Sequence, residues 1–159
     1  MMVLQGRRLV TRAWSRRVGR VLFSGSNGVG GVGIRPEKKN LDQLFSKFSD
    51  HWSPKIVGEI NSMHLKIVKV EGDFVWHHHD VEDEMFLVTN GGPLHMKIRD
   101  PEERVEIVNK GEFIIIPAGV EHCPCTEKEC EIILLEPSTT LNTGNVKDDV
   151  KTVNDLETI

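Results

Sequence analysis

Tyrosine is absent from this 159-residue sequence, so no phenol can serve as an acid, a base or a buried hydroxyl donor. No apolar run approaches the roughly 20 residues that a membrane-spanning helix needs, and no membrane partner is expected. Acidic residues are missing from residues 1–36, which carry seven arginines. Taking those seven charges from the net −4 leaves −11 on residues 37–159, an acidic body with no electrostatic footprint for nucleic acid. Cysteine is scarce, and Cys123, Cys125 and Cys130 are an odd number crowded into eight positions. That spacing makes a poor disulfide framework, and no second cysteine pair supports a zinc knuckle at Cys123-Pro124-Cys125, so free thiols on a strand are expected.

The acid-free arm has its own pattern. Arg8, Arg12, Arg16 and Arg20 recur every four residues, with Val10, Trp14, Val18 and Leu22 on the opposite side. A basic amphipathic helix of this kind predicts a mitochondrial presequence over residues 1–36; the alternative is a basic tail on a cytoplasmic protein. The glycine-rich stretch Ser24–Gly33 reads as a linker within it. The folded part is expected over residues 40–144, followed by a tail at 145–159 that is either a short helix on the body or a loose end.

Asn40 is placed to cap a short helix whose buried stripe is Leu41, Leu44, Phe45 and Phe48. Beyond it, segments 55–60, 63–70, 74–79, 84–89, 94–99, 104–108, 112–116 and 131–136 are short and rich in Val, Ile and Phe. Glu71-Gly72-Asp73, Asn90-Gly91-Gly92-Pro93, Asp100-Pro101 and Asn109-Lys110-Gly111 separate several of them. Strands in series with no helix between them predict an all-β sandwich or barrel.

The chemistry concentrates in Trp76-His-His-His-Asp-Val-Glu-Asp-Glu84. On a strand, His77 and His79 share one face and His78 takes the other with Phe74 and Trp76, so the first two are placed to share a metal ion. Phe74 and Trp76 are then expected to pack under the helix or at an interface. Glu84, opening the next strand, can reach the same ion. A fourth candidate, His122, follows a strand and a Pro117/Gly119 turn and enters the next strand. Asp80 or Glu82 can bond the second ring nitrogen of a ligand histidine.

These residues resemble the two motifs of the cupin superfamily. The first is written G-x5-H-x-H-x3,4-E-x6-G and is met here by Gly72, His77, His79, Glu84 and Gly91, with one residue fewer after Gly72. The second, G-x5-P-x-G-x2-H-x3-N, is met by Gly111, Pro117, Gly119 and His122, with Thr126 in place of the closing asparagine. The resemblance spans roughly residues 41–144 and implies an all-β, double-stranded β-helix or jelly-roll barrel with a short N-terminal helix. It implies that His77, His79, Glu84 and His122 line the barrel as ligands of one divalent transition metal. Three imidazoles and one carboxylate suit iron, manganese, nickel, copper or zinc without choosing among them, and two open positions would suit a substrate or dioxygen. The expected function is a metal-dependent enzyme, an oxygenase, isomerase or lyase acting on a small molecule; the alternative is a non-catalytic metal- or ligand-binding module. Phe86, Val88, Met96 and Ile98 are expected to give the cavity an apolar wall. A homodimer is expected, because a strand edge needs covering.

Overall fold

The computed structural model describes residues 36–147 and 149–159; the presequence and linker expectations for the arm fall outside them. The helix α1 runs Leu41–Phe45, and the Asn40 side chain caps it by accepting a hydrogen bond from the Gln43 backbone amide at 3.0 Å. Seven strands follow: β1 Lys55–Ile60, β2 Met63–Asp73, β3 Glu84–Gly91, β4 Leu94–Arg99, β5 Glu103–Val108, β6 Phe113–Ile116 and β7 Glu121–Pro137. All pairings among them are antiparallel, in the order β1-β2-β7-β3-β6, with β4 joining β7 to β5.

The long β7 closes the barrel. Its first part, Glu121–Cys125, lies beside β4, and its last part is gripped between β2 and β3. Strand alternation divides the apolar side chains into two sets. Val68 and Val70 of β2, Phe86 and Val88 of β3, Met96 and Ile98 of β4, and Ile132 and Leu134 of β7 fill the interior. Ile67 and Ile133, on the opposite faces of β2 and β7, pack outward against Leu44 and Phe45 of α1. The expected fold matches the structure, and so does the stripe through Leu41, Leu44 and Phe45; α1 ends at Phe45, and Phe48 packs against the same cluster from beyond it.

One strand expectation needs correction, and another is extended. Residues 74–79 form no strand; their ladder contact is a single bridge between His77 and His122. The flank of β7 nearest them instead bonds at intervals, with Phe74 N–H donating to the Pro124 carbonyl. The strand entered at His122 and the segment 131–136 are one strand, β7, continuous through a Pro-, Lys- and Glu-containing stretch whose intrinsic strand preference is low. Pairing with β4 over Glu121–Cys125 and with β2 beyond it overrides that preference. Among its described residues the tail forms no helix: Thr158 makes a parallel bridge with Ile56, and Ile159 N–H donates to the Ile56 carbonyl at 3.0 Å.

Candidate metal centre

Four side chains converge at one end of the barrel interior. Glu84 opens β3 and is buried opposite Ile116 of β6. His122, the second residue of β7, is completely buried. His77 is joined to it by a reciprocal pair of backbone hydrogen bonds, 3.0 and 2.9 Å long. His79 is fixed by its carbonyl, which accepts from Gly119 N–H at 2.7 Å; Gly119 holds φ 82°, a left-handed conformation open to glycine. Each of the four offers one ligand atom, and these atoms all lie within 4.8 Å of one another.

The hydrogen-bonding pattern decides which atoms face inward. Nδ1 of His77 lies 3.0 Å from the Val75 carbonyl, and Nδ1 of His122 lies 3.0 Å from the Val120 carbonyl. A carbonyl only accepts, so both Nδ1 atoms carry the proton and both Nε2 atoms keep a free lone pair. The outer partners are thus main-chain carbonyls; Asp80, one expected partner, lies instead 3.2 Å from Nε2 of the half-buried His78. His79 Nε2 and His122 Nε2 approach Glu84 Oε2 to 3.3 and 3.4 Å, yet none of these three buried atoms has a hydrogen-bond partner. Unpaired buried polar atoms are costly, and three converging on one point fit a shared cation.

Electrostatics agree with that fit. Burial favours the neutral form of Glu84, but the close approach of the His122 and His79 rings outweighs it and holds the carboxyl down at about 2. Burial, reinforced by the nearby His122, lowers His77 to about 4, so its imidazole is neutral at physiological pH. An ionised carboxylate beside a neutral imidazole is the protonation state a metal requires.

A cavity of about 30 Å³ adjoins the quartet, lined by His77, Glu84, Phe86, Trp52, Phe74 and Asn142 among others. Phe86 lines it as expected, while Val88, Met96 and Ile98 belong to the core away from it. Phe74 corrects another expectation. It faces the cavity, stacked on Trp52 at 4.8 Å and edge-on to the His77 ring at 5.2 Å, because residues 74–79 lack a strand's strict alternation. Trp76 packs neither under α1 nor in the cavity; the Arg99 guanidinium lies 3.7 Å above its ring. Trp52 and Asn142 escaped sequence reasoning, since neither falls in a motif or a periodic segment. The three thiols are free and buried, as expected.

Comparison with known proteins places this geometry in context. The family model described as Cupin domain matches residues 64–136. A solved cupin-2 domain containing protein from Shewanella frigidimarina is 43% identical, covering 62% of this chain and 93% of its own, with a TM-score of 0.59. Protein NMB1881 from Neisseria meningitidis is 27% identical, covering 64% of this chain and all of its own length, with a TM-score of 0.58. YdbB of Bacillus subtilis (strain 168) is 29% identical over 108 residues, 62% of this chain and 93% of that protein.

Proposed function

The chain belongs to the cupin family, and on that footing we propose that it is an enzyme dependent on one divalent transition metal held by His77, His79, Glu84 and His122. The observation that carries this reading is the set of three partnerless donor atoms, His79 Nε2, His122 Nε2 and Glu84 Oε2, buried beside a cavity. The donor set suits iron, manganese, nickel, copper or zinc. When bound, such an ion supplies Lewis-acid chemistry or a site for dioxygen, the two routes by which an oxygenase, isomerase or lyase would work here.

The protein's own residues define the rest. His77 and His122 are held in one tautomer by carbonyls, and Glu84 is held as the ionised carboxylate. Phe74, Phe86 and Trp52 give the cavity an apolar wall. Asn142 brings an amide to the cavity, but its Nδ2 donates to the Lys151 carbonyl and its Oδ1 accepts from Val153 N–H, both at 2.8 Å. Among the described residues no lysine or arginine lines the space, which supports a small, weakly polar substrate with oxygen donors at one end rather than a phosphate ester. Val105, Ile107, Phe113 and Ile115 are each at least half exposed on β5 and β6, which supports a homodimer formed through that face.

Elemental analysis of purified protein tests the reading, with His79→Ala beside the wild type. About one transition metal per chain in the wild type, lost in the variant, is expected. Failure of the wild type to take up iron, manganese, nickel, copper or zinc would overturn it. Oxygen uptake, or a changed spectrum of the loaded protein on adding small chelating oxygen compounds, then separates an enzyme from a binding module.

A further inference from the structure

Three consecutive residues, His77 to His79, must hold two ligand rings in place without belonging to a strand. Two of them are fixed from one side: His77 by its reciprocal pairing with His122, and His79 by Gly119. The main chain of His78 is fixed by the segment after β7. Its N–H donates to Asn145 Oδ1 at 2.9 Å, and its carbonyl accepts from Asn145 N–H at 3.0 Å. One residue thus gives His78 both bonds that a neighbouring strand would otherwise provide.

The segment carrying Asn145 is itself anchored. Thr143 is completely buried, and its hydroxyl meets the Val146 carbonyl and the Thr152 hydroxyl at 2.5 and 2.9 Å. Asn142 ties it to Lys151 and Val153. Between them, Gly144 lies against the ligand segment. A Cβ there would fall 2.2 Å from the His78 carbonyl oxygen and 3.2 Å from His79 Nδ1, at a φ of +51°. No side chain fits without displacing the ligand histidine or the strap.

We propose that Gly144 and Asn145 are positioning residues of the metal centre: they act through the His78 backbone to keep His77 and His79 aimed at one point. This rests on the reading of the quartet as a metal site. Neither residue touches the ion, so their effect must appear in metal affinity and ligand field rather than in the presence of the fold.

The test titrates full-length protein with cobalt(II), recording the visible ligand-field spectrum and the dissociation constant, alongside urea unfolding of the metal-free forms. Asn145→Ala, which removes the acceptor for His78 N–H, is expected to weaken binding about tenfold, in the range seen for groups that orient metal ligands. Asn145→Asp keeps that acceptor and is expected to stay within about threefold of the wild type, a rescue that points to the hydrogen bond. Gly144→Ala is expected to weaken binding by at least about tenfold and to shift the spectrum. Wild-type affinity and spectrum in both Asn145→Ala and Gly144→Ala would overturn the positioning role. Absence of cobalt binding in the wild type would instead sink the metal reading beneath it.

Discussion

A buried pair one step from the centre makes a prediction that can be worked through in full. Lys66 and Glu136 are both completely buried, with Nζ 2.7 Å from Oε1, while Glu136 Oε2 has no partner. The register pairing Met85 with Leu135 brings inward-facing Glu84 and Glu136 to the same end of the barrel. Burial, with the Glu84 charge added, pushes the Glu136 carboxyl up to about 8 against the pull of Lys66. A carboxyl raised from its ordinary 4.5 binds more protons folded than unfolded between those values. Its stabilising contribution is therefore complete below about pH 4.5 and is lost as pH rises through 8. His77, lowered to about 4, works the other way, adding stability as pH rises from 4 to its ordinary 6.5. The two slopes oppose each other up to pH 6.5, and above it Glu136 dominates. Metal-free protein should lose about 1–2 kcal/mol between pH 6.5 and 8, since each unit of unmatched titration is worth about 1.4 kcal/mol. Glu136→Gln imitates the protonated carboxyl, so it should match the wild type within about 1 kcal/mol at pH 6.5 and show no fall by pH 8. Urea unfolding with a chelator present, at several pH values, measures both. A wild type equally stable at the two pH values, or a variant that keeps the fall, would refute the reasoning.

Other perturbations follow from burial and linkage. Ile132→Ala, emptying a 1%-exposed site in the barrel interior, should cost about 2–5 kcal/mol by urea unfolding, and a loss under about 1 kcal/mol would show the core collapsing around the gap. Cys130 is completely buried and its thiol is raised to about 11 by burial, so a thiol reagent at pH 8 should modify it only at the rate of unfolding. Metal that binds only the folded protein should stabilise it by about 2.7 kcal/mol at one hundred times its dissociation constant, and His79→Ala should abolish that gain.

The fold and quartet were legible because each follows from local rules. Turn residues marked strand ends, and the spacing of His77, His79, Glu84 and His122 carried a motif readable without coordinates. What was hidden depends on partners distant in sequence. Residues 74–79 look like a strand because Phe74, Val75 and Trp76 favour one, but their neighbour β7 meets them only at intervals, leaving Phe74 free to turn toward the cavity. The stretch Thr126–Cys130 looks unlike a strand because Glu127, Lys128 and Glu129 resist extended pairing, yet β7 runs through it unbroken from Glu121 to Pro137.

The polar segment Thr140–Asn145 shows the same limit at the site. Its composition reads as an end to the barrel, whereas three of its residues are buried and one meets both main-chain groups of His78. Exposed backbone at residue 78 would otherwise leave the His77 and His79 rings of the proposed site on a segment free to fluctuate. A metal geometry needs rings fixed within fractions of an ångström, and that requires hydrogen bonds on both sides of the segment. Strand β7 and the Gly119 turn supply one side. The chain after β7 supplies the other, which is why a polar, turn-forming sequence is packed where an apolar one would be expected.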